Sequence, residues 1–219
     1  MVYTEHLQAL LPADLPHRDA CIEGAAAHLR LIEEANRQFN LTRIVDAREA
    51  AIKHVLDSLL PWRLFAGARS IADAGTGAGF PGIPLALAMP EAQFALIEST
   101  QKKARFVESA VAALGLKNAA VHPVRAEDWL RANRAAIVTA RAVAPLAKAV
   151  DLFAPALDAG SRLLLYKGPD VDVEIAEAEA MVRKRTARTK PVKIRVVARY
   201  GLPEQMGSRT IVELVAGPG

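Results

Sequence analysis

The chain has 219 residues, 52% of them apolar and 24% charged, a makeup that excludes a disordered or fibrous protein and suits one globular unit. Its single cysteine, Cys21, excludes an internal disulfide or a cysteine metal cluster, and a core of this size needs neither. The net charge of +4 points only weakly to an anionic partner, because many basic proteins bind nothing acidic.

The first 66 residues read as a helical extension. Apolar residues at Ile22, Ala25, Ala26, Leu29, Ile32 and Phe39 predict a helix over 19–39 that stops at Asn40-Leu41-Thr42. Asp46 and Glu49 form a capping box for a second helix running through Val55, Leu56, Leu59 and Leu60 to Pro61. His54, Asp57 and Ser58 share one face of it, a spacing that suits a hydrogen-bonded brace to the rest of the molecule better than catalysis.

From Ser70 to Gly219 the pattern changes, and residues 67–219 read as the main domain. Short apolar runs at 70–73, 93–98, 119–124, 137–140 and 162–167 alternate with helical patterns at 83–88, 101–114, 127–132 and 146–157. Such alternation predicts an α/β fold with a parallel sheet covered on both faces. Two further runs, 193–199 and 209–215, predict an antiparallel pair at one edge, giving by analogy the seven-stranded, mostly parallel sheet of the Rossmann-like class I methyltransferases. No leader sequence is expected at the first residues, and the uncharged stretch from Ala74 to Pro90 is broken by glycines and prolines, so a cytoplasmic chain without a membrane span is expected.

The most informative segment is Asp73-Ala74-Gly75-Thr76-Gly77-Ala78-Gly79-Phe80-Pro81-Gly82, between a strand and a helix. Gly75, Gly77 and Gly79 let the chain turn tightly and let a ligand reach the main chain. The same letters satisfy a dinucleotide fingerprint. Under either reading Glu98, at the end of the next strand, would accept from ribose hydroxyls, and Ser99 and Thr100 would face the ribose or simply cap the next helix. Asp73 favours S-adenosylmethionine, since an acid there would repel a pyrophosphate and attract an ammonium and a sulfonium. The two alternatives carried are an NAD-dependent oxidoreductase and a non-catalytic RNA-binding module on the same shell.

Asn40-Leu41-Thr42, His54-Val55-Leu56-Asp57-Ser58-Leu59, the glycine segment with its trailing Ile83-Pro84-Leu85, Leu96-Ile97-Glu98-Ser99 with Lys102-Lys103, Arg125-Ala126-Glu127, Arg141-Ala142-Val143 and Lys167-Gly168 occur in one order. In this the chain resembles the RsmG family (glucose-inhibited division protein B), bacterial methyltransferases of guanine N7 in 16S ribosomal RNA. The resemblance covers about 40–168. It implies donor contacts at Gly75, Phe80, Ala126, Glu127 and Arg141, the last also suited to an RNA phosphate, and a monomer acting on 16S ribosomal RNA or the small ribosomal subunit. Glu98 departs mildly from the family, where Asp is common.

Attack by N7 needs no general base, so no catalytic acid, base or metal is expected. Ala140-Arg141-Ala142-Val143-Ala144-Pro145 lacks the N/D-P-P-Y/F segment of exocyclic-amine methylation, and Cys21 is a poor candidate for the nucleophile that pyrimidine C5 methylation needs. Trp129 suits packing. Between Met181 and Arg199 stand eight cations and no acid. Arg183, Lys184 and Arg185 there, with Lys167 and Arg141, are the expected RNA phosphate contacts, while Lys102, Lys103 and Arg105 read as a solvated helix face.

Overall fold

The computed structural model describes residues 2–142, 144–184 and 191–217. Seven strands form one sheet in the order β3-β2-β1-β4-β5-β7-β6. β1 (Ser70–Ala74), β2 (Gln93–Ile97), β3 (Ala119–His122), β4 (Ile137–Arg141) and β5 (Arg162–Lys167) run parallel. β7 (Ser208–Ala216) returns antiparallel between β5 and β6 (Val192–Gly201), with a bulge at Val196/Ala198. Central strand β1 is buried at four of its five residues, as expected of a parallel strand covered on both faces.

The connecting helices are α5 (Gly82–Ala88), α6 (Gln101–Ala113), α7 (Ala126–Ala132), α8 (Leu146–Leu152), α9 (Ala154–Asp158) and α10 (Val171–Lys184). The helix expected over 146–157 is thus two, with Phe153 wholly buried at the joint. α10 was not among the expected helices. Val171, Ile175, Ala178 and Val182 carry its helical period, and all four join the core on that side of the sheet.

Ahead of the sheet lie α1 (Val2–Leu10), which the sequence reading lacked, and α2 (Arg18–Asn36). Then Asp46 caps α3 (Ala47–Ala50) by accepting from the Glu49 N–H at 2.7 Å, one half of the expected capping box, while the Glu49 carboxylate accepts from Lys53. The predicted single helix continues as a π-helical turn, Ala51–Leu56, before α4 (Asp57–Leu59). Leu29, Ile52, Leu59 and Phe65 from this segment share one apolar core with Ile83 and Leu96. A second core, with Val138, Val150, Phe153 and Leu165, fills the other face. Strand order turns about between β1 and β4, so a crevice opens at their carboxyl ends, where ligands of open α/β sheets sit.

Candidate active site

At that crevice a cavity of about 320 Å³ lies between the ends of the strands and α8. Gly75 lies on its wall, exposed, with φ 75°. A side chain at that angle is strained, and here the main chain stays bare. The N–H groups of Gly75 and Thr76 both donate to Ile97 O, at 2.9 and 3.0 Å, tying the loop to the end of β2. Glu98 completes the tie: one carboxylate oxygen accepts from Gly77 N at 3.0 Å and the other from Thr100 N at 2.7 Å. Each retains a further lone pair. That bond, rather than the Thr100 hydroxyl, serves the start of α6, because no side-chain cap bond forms at Thr100. The Ser99 and Thr100 side chains are exposed instead.

Asp73, expected to meet a cationic ligand, is not among the residues that line the cavity. It is 0% exposed, and one of its oxygens accepts from the Thr76 hydroxyl at 2.6 Å and from Gly82 N at 2.8 Å. Burial pushes its carboxyl up to about 6, against those two hydrogen bonds and the nearby Arg141 charge. Asp73 therefore closes the loop from behind. Gly82 is needed there, since a Cβ would stand 2.7 Å from the Asp73 carboxylate and 2.3 Å from Leu96.

Phe80, an implied donor contact, has its side chain buried, 4% exposed. It is held between two histidines of the helical segment: His54 stacks on it at 4.6 Å and His28 tilts against it at 4.8 Å. Burial pulls both imidazoles down, to about 3 for His54 and about 4 for His28. Both are neutral at pH 7. His54 Nε2 meets the Thr42 hydroxyl at 3.1 Å, joining two of the segments that carry the family resemblance.

Arg141 is not free at the mouth of the site. Its Nη1 donates to Lys53 O at 2.8 Å and to Asp57 at 3.3 Å, and its guanidinium lies 5.5 Å from the Phe80 ring. Asp57 is 0% exposed. Arg209 of β7 binds it through Nε and Nη2, at 2.8 to 3.1 Å, and the Tyr200 hydroxyl of β6 reaches it at 3.3 Å. The Tyr166 hydroxyl of β5 donates to Ser58 O at 2.9 Å. The expected brace between helices and sheet is thus present through the Asp57 side chain, whereas Ser58 lends only its main-chain O, its hydroxyl donating to His54 O in the same segment. Arg209 and Tyr200 escaped the sequence reading, lying 152 and 143 residues along the chain from Asp57.

Ala126 and Glu127, at the start of α7, line the far wall of the cavity with Ser99. Pro145 and Lys148 line it too and were not foreseen. The position after β4 was the only signal for them. Trp129 packs against the second core, its ring 5.4 Å from His122.

The expected phosphate grip changes most. Lys167 is engaged by Glu174 at 2.6 Å and by Ala144 O at 2.8 Å, its side chain only 11% exposed, so it is spent on an ion pair. Arg183 is exposed, 3.7 Å from Glu179. The Lys184 side chain and all of Arg185 lie outside the described residues. Arg195 pairs with the buried Glu213 and Arg199 with Asp172, so acids remote in sequence neutralise part of the stretch. Lys102 lies over the Phe39 ring at 4.3 Å.

A family model described as rRNA small subunit methyltransferase G matches residues 22–199. The chain is 64% identical to the ribosomal RNA small subunit methyltransferase G of Solibacter usitatus, over 98% of this chain and all of that one. It is 41% identical to the protein of that name from Stenotrophomonas maltophilia, over 87% and 84%. Among solved structures, an O-methyltransferase from Bacillus cereus in complex with SAH has a TM-score of 0.60 at 16% identity, covering 99% of this chain and 97% of that one. The O-methyltransferase TomG from Streptomyces achromogenes has 0.56 at 20%, covering 99% and 96%. At such identities these two bear on the fold, which they share. The sequence matches carry the rest, and the chain belongs to the rRNA small subunit methyltransferase G family.

Proposed function

We propose that this chain transfers a methyl group from S-adenosylmethionine to N7 of a guanine in small-subunit ribosomal RNA. The observation that carries the reading is the cavity where Gly75 leaves the main chain bare beside Ser99, Ala126 and Glu127, in a chain of this family. Those residues fit the donor. Ile97, Val124, Pro145 and Leu152 offer apolar faces for an adenine, the spare lone pairs of Glu98 suit ribose hydroxyls, and the bare backbone at Gly75 admits the methionine part. Gly77 and Gly79 shape the turn. Among the described contacts only Nη1 of Arg141 is engaged, which leaves its other N–H groups for the donor's carboxylate, above the buried Phe80.

The donor supplies an electrophilic methyl on a sulfonium. Guanine N7 carries an in-plane lone pair and no proton, so the chain has no proton to remove at the reacting atom. Its work is to hold nitrogen and methyl in line and to exclude water. A base inside a helix cannot enter such a crevice, so the guanine comes from a loop or is extruded. Arg125 and Lys148, both exposed on the cavity's rim, supply charge where the RNA backbone would approach. Separate calorimetric titrations with S-adenosylmethionine and with NAD test the donor. Binding of the first and not the second is expected, and binding of NAD alone would sink the reading.

A further inference from the structure

Among the described residues, the helical segment makes one polar contact with the glycine loop. His28 of α2, 0% exposed, reaches across to the loop, where Nε2 lies 2.9 Å from Ala78 O. A carbonyl only accepts, so Nε2 carries the proton and donates; Nδ1 is left buried with no partner among the described residues. Ala78 stands between Gly77 at φ 62° and Gly79 at φ 98°. No helix or strand holds a run of that shape. A Cβ on Gly79 would come within 3.0 Å of His28 Cε1, so ring and loop are in direct contact.

The loop's remaining ties leave Ala78 O unused. Gly75 N and Thr76 N go to Ile97 O, Gly79 N and Phe80 N go to Thr76 O, and Gly77 N goes to Glu98. All of these hold the loop to its own neighbours or to the end of β2. Among the described residues, the hydrogen bond from His28 is the one that joins the turn at Ala78 to the helices ahead of the sheet. Glycines in this conformation carry a large entropy of ordering, and a loop already held in its bound shape lowers what binding must spend on it.

We propose that His28 is a positioning residue for the methyl donor: by donating to Ala78 O it holds the glycine loop in the shape that presents Gly75, and α2 is thereby a working part of the donor site. This rests on the donor lying in the cavity at Gly75.

Calorimetry with S-adenosylmethionine on the full chain tests it. His28→Leu keeps the bulk and removes the N–H, whereas His28→Gln restores a donor of similar reach. The first should weaken binding by about fivefold or more, the worth of one neutral hydrogen bond, and the second should recover most of it. Ile22→Val, a buried change on the same helix, should lower the melting temperature and leave affinity unchanged. In methylation assays His28→Leu should raise KM for the donor with kcat at saturating donor preserved. Wild-type affinity in a folded His28→Leu, or equal losses in the Leu and Gln variants, overturns the proposal. Should His28→Leu not fold, His28→Met takes its place in the same comparison. A wild-type chain that does not bind S-adenosylmethionine overturns the donor reading instead.

Discussion

Asp57→Asn is the sharpest probe of how the helices are fastened to the sheet. The carboxylate is wholly buried, while the side chains of its partners Arg209 and Arg141 are 24% and 17% exposed. Asn keeps the shape but is neutral, and one of the two oxygens that Arg209 grips becomes an N–H₂ facing a guanidinium. Breaking one partner of a buried pair costs about 3–5 kcal/mol, because the remaining charge stays desolvated. Partial exposure of both arginines puts the expected loss near the lower figure, about 3 kcal/mol. For a domain of this length that corresponds to a fall in Tm of roughly 6–12 °C. Urea denaturation measures the loss, and a double-mutant cycle with Arg209→Leu should show a coupling of at least about 1 kcal/mol. A loss below about 1 kcal/mol with no coupling would refute the view that this carboxylate fastens the two parts together.

The glycines should separate by role. Gly75→Val should abolish donor binding with a modest stability loss, while Gly82→Ala, whose Cβ meets Leu96 and Asp73, should destabilise by roughly 1–3 kcal/mol, as differential scanning calorimetry and donor titration would show. Acid should weaken the fold. His28 and His54, neutral down to about 4 and about 3 against an ordinary 6.5, leave the unfolded chain binding more protons below pH 6.5, so their stabilisation is complete above that pH and is lost as pH falls through the window. Asp73, pushed up to about 6 from 3.8, works the other way between those values, and two histidines outweigh it; His28→Gln should therefore flatten the acid limb of a stability–pH curve. Replacing Arg183, Lys184 and Arg185 together by Ala should weaken RNA binding, reduce its salt slope by up to about three contacts' worth and leave donor affinity unchanged, measured by filter binding across a salt series.

The glycine loop was legible because strand, glycines and helix follow one another within a few residues, and the parallel sheet because its apolar runs alternate with helical ones. Which way each loop side chain turns was not. Asp73 and Phe80 face inward because their partners, Gly82 N–H in the one case and two histidines from other helices in the other, meet them only in the folded chain. The pairing of part of the basic run was hidden for the same reason, since Asp172 and Glu213 reach Arg199 and Arg195 from 27 and 18 residues away. His54, Asp57 and Ser58 could be placed on one face by spacing, but the π-helical turn and Arg209 on the last strand had no local signal.

Mapping of methylated bases in small-subunit ribosomal RNA, from cells with and without this chain, tests the central claim most directly because it reads base, atom and site together. The account predicts one guanine carrying an N7 methyl that is lost without the chain and restored by the wild-type protein but not by Gly75→Val. A methyl on an exocyclic nitrogen, or an unchanged methylation pattern, would contradict it.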